Sequence, residues 1–158
     1  MTPDQVDAVE TSLAVVPFDE LADRFYAHLF ALDPSARGMF PEDLTALRRK
    51  FGTELELVAV AIRHHDDFLE HVRGLAAVHR HHGVRSGHVR VGGVALLAAF
   101  GDVLGADWNT DLADAWALAY HLTTEAMLTA MAARPDDERT ISPDPASRRA
   151  PDPTRHGW

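Results

Sequence analysis

Along residues 1–133 apolar side chains recur at the spacing of an α-helix and nowhere, over a useful length, at that of a strand. After Pro17, the residues Phe18, Leu21, Ala22, Phe25, Tyr26, Leu29 and Phe30 fall at i, i+3, i+4 and i+7, one face of a 3.6-residue repeat. Leu44, Leu47, Phe51, Leu55, Val58 and Ile62 continue the pattern, followed by a polar break at His64-His65-Asp66-Asp67. Phe68, Val72, Leu75, Ala76 and His79 share the face of a further helix that stops at Gly83. A Val- and Leu-rich run opens at Ser86-Gly87 and reaches Leu104. Trp116, Tyr120, Thr123, Met127 and Ala130 mark a last helix, capped by Asn109 or Thr110. Thr2-Pro3-Asp4-Gln5 is a capping-box start with proline in the first turn. The fold class is all-α, with about six to eight helices. The stub from Pro34 to Phe40 makes them unequal in length, which suits an orthogonal arrangement better than an up-and-down bundle.

With 158 residues, one domain is expected over residues 1–133. Residues 134–158 carry Pro135, Pro143, Pro145, Pro151 and Pro153 and few apolar side chains, and are expected to be a disordered tail. The net charge of −9 lacks the basic footprint of a nucleic-acid binder. No apolar run is expected to reach the roughly 18 to 20 residues that cross a membrane. The N-terminus shows no signal-peptide pattern, so a cytoplasmic location is expected. There is no cysteine, which excludes disulfides, thiolate metal sites, covalent c-type haem and a thiol nucleophile. Histidine is abundant, with ten in the chain, so imidazole is the expected ligand for any metal.

From His71 to Gly101 there is no acidic residue, while Arg73, Arg80, Arg85, Arg90 and five histidines fall there. Such a one-sign segment suits either an anionic ligand or a solvated basic face. At about 100° per residue, His79 lies about 20° from Phe68 on an apolar face. An imidazole in that position needs a partner, or it carries a desolvation cost of roughly 1–3 kcal/mol. It is either a core histidine bonded to a carbonyl or a ligand, and His82 lies near enough to the same face that periodicity does not choose between them. Tyr26, flanked by Phe25, Leu29 and Phe30, is a core aromatic or a donor aimed into a cavity. His64-His65-Asp66-Asp67 reads as a solvated loop, since adjacent histidines diverge on a helix. Gly92-Gly93 follows no strand and makes no phosphate loop; it reads as a place where a neighbouring helix or a flat ligand approaches closely.

These residues assemble into a known pattern. Phe25-Tyr26-Ala27-His28-Leu29-Phe30, then Asp33-Pro34 and Phe40-Pro41, resembles the second helix and corner of bacterial globins, both single-domain haemoglobins and the globin domain of flavohaemoglobins. His79, Gly83-Val84 and His88 resemble their proximal segment, and Asp114-Ala115-Trp116 with Tyr120 their last helix. The resemblance covers about residues 5 to 132. It implies a globin fold holding haem b, with His79 rather than His82 as iron ligand and O2, NO or CO as gaseous ligands. It implies Tyr26 as the distal, catalytic tyrosine and Phe40 as the ring packed on the porphyrin. Leu47, Phe51, Val84 and Val89 are the implied pocket lining, with Arg80, Arg85 and Arg48 or Lys50 as partners of the two propionates.

Three departures bear on mechanism. Leu47 stands where the family usually has a distal glutamine, and Phe51 where it usually has leucine. Val89 and Met131 replace a proximal tyrosine and glutamate, which argues against a dedicated peroxidase. The resemblance implies dioxygenation of NO to nitrate. Since these 158 residues leave no room for flavin and nicotinamide domains, a flavin reductase acting in trans is expected. The rival expectations are a non-enzymatic O2 carrier, buffer or gas sensor, and a haem-free globin-like interaction or regulatory module. The chain is expected to be a monomer or homodimer.

Overall fold

In the computed structural model, residues 1–133 are described; the tail expected over 134–158 lies outside them. Thr2 opens the first helix as the capping box requires. Its hydroxyl accepts from Gln5 N–H at 3.2 Å, and the Gln5 side chain accepts from Thr2 N–H at 2.9 Å. Helix α1 spans Pro3–Val15 and α2 spans Phe18–Leu32. Asp33 then takes Ser35 N–H and the Ser35 hydroxyl on one carboxylate oxygen, at 3.1 and 2.5 Å, and starts the short 3-10 segment Pro34–Met39. Helices α3 (Thr45–Ala61), α4 (His65–His81), α5 (Ser86–Leu104) and α6 (Thr110–Ala132) follow, with a 3-10 turn at Gly105–Asp107. No strand occurs among the described residues. Asn109, not Thr110, caps α6, its side-chain oxygen accepting from Leu112 N–H at 3.0 Å.

One boundary differs from the sequence expectation. His65, Asp66 and Asp67 are not loop; they form the first turn of α4, with His64 as the residue before it. The two carboxylates lie at the positive end of the helix dipole, which stabilises a helix start that polarity alone marks as a break.

The helices cross rather than run side by side. α2 lies across α5, α4 packs on α6, and α3 reaches both α2 and α4. The largest core cluster joins Val9, Leu13, Val16, Leu21, Leu96, Phe100 and Trp116 from four helices. Phe100 is wholly buried between Trp116, 4.3 Å away centroid to centroid, and the parallel ring of Trp108 at 5.6 Å. Trp116 Nε1–H donates to Ser12 Oγ at 2.9 Å, and that hydroxyl donates to Val9 O at 2.7 Å, so no polar atom of the pair is left unsatisfied in the core. At the surface, Arg63 grips both carboxylate oxygens of Glu10 at 2.6 Å and Asp7 at 2.5 Å, tying the end of α3 to α1.

Helix α5 corrects the expectation about apolar runs. It is long and apolar enough by composition to cross a membrane, with mean hydropathy 1.6 over its most apolar window. Val89, Ala95, Leu96, Ala99 and Phe100 are buried against neighbouring helices, while Val94 on the opposite face is exposed. Gly92 and Gly93, inside α5, admit a neighbour and not a flat ligand. The Tyr120 ring of α6 lies on them, and its hydroxyl donates to Val89 O at 2.6 Å. A Cβ added at Gly93 would overlap that ring. Gly93→Ala should therefore destabilise the fold by about 1–3 kcal/mol, read as a lower midpoint of urea unfolding. A wild-type midpoint would mean that Tyr120 does not sit there.

Candidate ligand-binding site between α2, α3 and α4

Tyr26 sits on the inner face of α2, one turn beyond Ala22 and Leu21, which are both wholly buried. Four phenylalanines surround it. Phe25 and Phe30 come from its own helix, with ring centroids 5.1 and 6.0 Å away; Phe51 comes from α3 at 6.1 Å and Phe40 from the corner at 5.7 Å, edge to face. Phe51 also stacks on Phe25 at 4.6 Å. Leu44, Leu47 and Val91 complete the cluster. The Tyr26 hydroxyl makes no hydrogen bond among the described residues, although the side chain is only 6% exposed. Burial pushes its pKa up to about 12, against the opposing pull of the Arg48 charge. The phenol therefore keeps its proton and meets no protein acceptor among the described residues.

His79 belongs to the last turn of α4 and is half-buried, whereas His81 and His82 are exposed. Its Nδ1 lies 2.8 Å from Leu75 O. A carbonyl only accepts, so Nδ1 is the donor and carries the proton, and Nε2 of the neutral ring presents a lone pair. The carbonyl-bonded core histidine and the ligand histidine are thus compatible readings of one side chain. The backbone beyond it is fixed as well. Gly83 takes φ +75°, its N–H donates to Arg80 O at 3.1 Å, and Val84 N–H donates to His79 O at 3.0 Å. That pair of bonds is a Schellman cap, and it explains the spacing of His79, Gly83 and Val84: glycine takes the left-handed position and Val84 turns back onto the apolar cluster of Leu75, Val72, Ala76 and Val89.

The helices that carry Tyr26 and His79 make no extended contact with each other. α3 and α5 span the interval, with Leu47, Phe51, Val91 and Ala95 in the cluster around Tyr26 and Val58, Ile62 and Val89 in the cluster beside α4. The cations expected at the rim differ in their engagement. Arg48 Nε is 2.7 Å from Asp23 Oδ1 on α2 and is committed there. Lys50, Arg80 and Arg85 are exposed and form no ion pair among the described residues. Val89 is buried, and Met131 packs against the same cluster, so the apolar pair that replaces tyrosine and glutamate lies on the His79 side. No three metal-ligating side chains converge among the described residues, His64 to Asp67 included.

Sequence reasoning missed Arg37. Its guanidinium donates to the carbonyls of Phe40, Pro41 and Glu42 and lies over the Phe30 ring. A single basic residue in the last turn of a short helix was the only signal.

The orthogonal all-α fold thus sets a largely buried phenol and a carbonyl-bonded imidazole on separate helices, linked by apolar walls. The chain belongs to the globin family, whose model matches residues 23–127. It is 31% identical over 109 residues to a flavohemoprotein of Bordetella pertussis, covering 65% of this chain and 26% of that protein. A flavohemoprotein of Chromobacterium violaceum is 29% identical over 115 residues, with 68% and 28% covered. The chain thus spans about a quarter of the length of these relatives. Among solved structures, a bacterial globin from Campylobacter jejuni superposes with TM-score 0.74 at 19% identity, covering 82% of this chain and 96% of the other. An engineered carbene transferase, made from a Rhodothermus marinus protein provisionally assigned as a nitric oxide dioxygenase, gives TM-score 0.74 at 23% identity, with 84% and 94% covered.

The two buried phenols make the fold sensitive to alkali. Burial pushes Tyr120, like Tyr26, up to about 12. In the unfolded chain both ionise near 10, so between those values the unfolded state has shed protons that the folded state keeps. Their contribution to stability is complete below about pH 10 and is lost as pH rises towards about 12. Thermal midpoints followed from about pH 9 upward should fall steeply for the wild type. Tyr26→Phe should flatten that fall; an unaltered curve would place the phenol in water.

Proposed function

We propose that this globin binds haem b through His79, holds O2 or NO reversibly, and converts NO to nitrate with electrons from a separate flavin reductase. The observation that carries the reading is the bond from His79 Nδ1–H to Leu75 O, which leaves Nε2 free for iron. The other residues fit the group. Phe40, Leu47 and Phe51 give an apolar distal wall, Val84 and Val89 line the His79 side, and the Tyr26 donor has no protein acceptor. Arg80, Arg85 and Lys50 are exposed cations suited to the propionates, whereas Arg48 is held by Asp23. When bound, haem iron supplies a centre for reversible gas binding, CO included, and for one-electron transfer.

The chain's own part is orientation and exclusion. Tyr26 offers its proton to a small ligand beside an aromatic wall, where a hydrogen bond is stronger than in bulk water. Phe51 and Leu47 offer none, so Tyr26 is the one donor of this cluster among the described residues. The bond to Leu75 O orients the His79 ring and fixes its tautomer. Combining NO with O2 to give nitrate consumes one electron, and the reading assigns its delivery to a flavin reductase. The reading takes the protein as cytoplasmic, and as a monomer or homodimer. The apolar Val89 and Met131 favour a second reading, an O2 carrier, buffer or gas sensor with the same ligands, since little on that side activates a bound gas.

His79→Ala should abolish stable hemin uptake while His82→Ala should not, scored by the Soret band of the reconstituted protein. The reverse result would assign the ligand to His82, and no band in the wild type would favour the haem-free module. Tyr26→Phe should speed O2 release about fivefold or more, the worth of one hydrogen bond of about 1 kcal/mol; an unchanged off-rate in stopped flow refutes Tyr26 as donor. Adding NO to the oxygenated protein should yield nitrate well above the rate of free haem. No excess nitrate would leave the carrier reading.

A further inference from the structure

The corner between α2 and α3 has no regular structure from Phe40 to Leu44, yet it delivers the ring that closes on Tyr26. We infer that Arg37 is the positioning residue of this aromatic cluster: its guanidinium straps the corner down and so sets how tightly Phe40 is held against Tyr26. The inference rests on the proposed function only in what it says about a bound gas.

Arg37 Nη1 donates to Phe40 O at 3.1 Å and to Pro41 O at 3.0 Å, and Nη2 donates to Glu42 O at 3.3 Å. Phe40 N–H answers with a bond to Arg37 O at 3.3 Å, so the two residues clasp each other. The guanidinium carbon lies 5.3 Å from the centroid of Phe30. Phe30 in turn meets Phe40 edge to face at 5.4 Å, and both rings contact Tyr26. The strap thus joins the outer end of α2 to three successive carbonyls that no helix would otherwise satisfy.

The chemistry is specific to arginine. Asp33, Glu42 and Asp43 are near in sequence, but Arg37 forms no ion pair among the described residues and spends its fork on neutral carbonyls instead. Three splayed acceptors and a flat ring call for a planar group with several fixed N–H bonds. An ammonium, a point donor on a flexible stem, cannot meet both demands. On the proposed function, the effect of the Tyr26 phenol on a bound gas depends on where its ring is held. Phe40 is the one of its four aromatic neighbours not held on a long helix.

The test uses Arg37→Gln, Arg37→Lys, Phe40→Leu and the double variant Arg37→Gln/Phe40→Leu, each reconstituted with hemin. Arg37→Gln and Arg37→Lys should speed O2 release several-fold and broaden or split the C–O stretching band of the CO form. In the Phe40→Leu background, Arg37→Gln should add nothing further. A folded Arg37→Gln with wild-type off-rate and C–O band overturns the inference, as does full additivity with Phe40→Leu. If the glutamine variant does not fold, the lysine variant decides, and wild-type behaviour there also overturns it. Amide hydrogen exchange of the haem-free protein gives a readout independent of haem: Phe40 and its neighbours should lose protection in both Arg37 variants. Should the wild type take up no hemin, the proposed function fails and that exchange alone decides the strap, with unchanged protection counting against it.

Discussion

The crossing of α2 over α5 is the constraint on which the rest of the molecule hangs. Ala22 and Ala95 are wholly buried there, and side chains this small let two helices approach closely. At the far end of the same crossing His28 Nε2 lies 2.8 Å from Asp102, a contact between residues 74 apart in sequence. Once that angle is set, Tyr26 follows one turn beyond Ala22, and the corner after α2 must turn towards α3. α4 then packs chiefly on α6 and α3. The separation between the helices bearing Tyr26 and His79 is thus a product of packing elsewhere.

Two different kinds of bond hold the two sides. On the α4 side the backbone dominates: a carbonyl fixes the ring of His79 and an amide fixes its carbonyl. On the α2 side the holding is aromatic, by edge-to-face and stacked rings, and a backbone bond enters only through Arg37. The first kind is local in sequence and stiff. The second draws on three separate segments and is correspondingly adjustable.

That difference explains what could be read in advance. The helices, the capping box at Thr2 and the stub after Asp33 were legible because each is written in short-range spacing and cap chemistry. His79 was recognisable as an imidazole on an apolar face, but choosing it over His82 took the resemblance to bacterial globins; periodicity alone did not separate them. Asp66 and Asp67 misled because polarity marks both loops and helix starts, and only the dipole distinguishes the two. The role of Gly92-Gly93 stayed open between a neighbour and a ligand, since the partner, Tyr120, lies about thirty residues away and no local pattern announces it. Arg37 was invisible for a related reason. Its partners are backbone carbonyls, which every residue has, so no side-chain pattern points to them. The commitment of Arg48 to Asp23 likewise depends on a helix crossing and not on spacing.

The Schellman cap after α4 has a consequence for how this chain can change. Because Val84 N–H must reach the carbonyl of His79, and Gly83 alone supplies the left-handed residue between them, the segment from 79 to 84 cannot gain or lose a residue without releasing the imidazole it terminates. The turn at Ile62–His64 is tied differently, through side chains: Arg63 reaches α1 and Ile62 packs in the core. Just after α4 it is the backbone itself that fixes the count, a rule imposed by two amide protons.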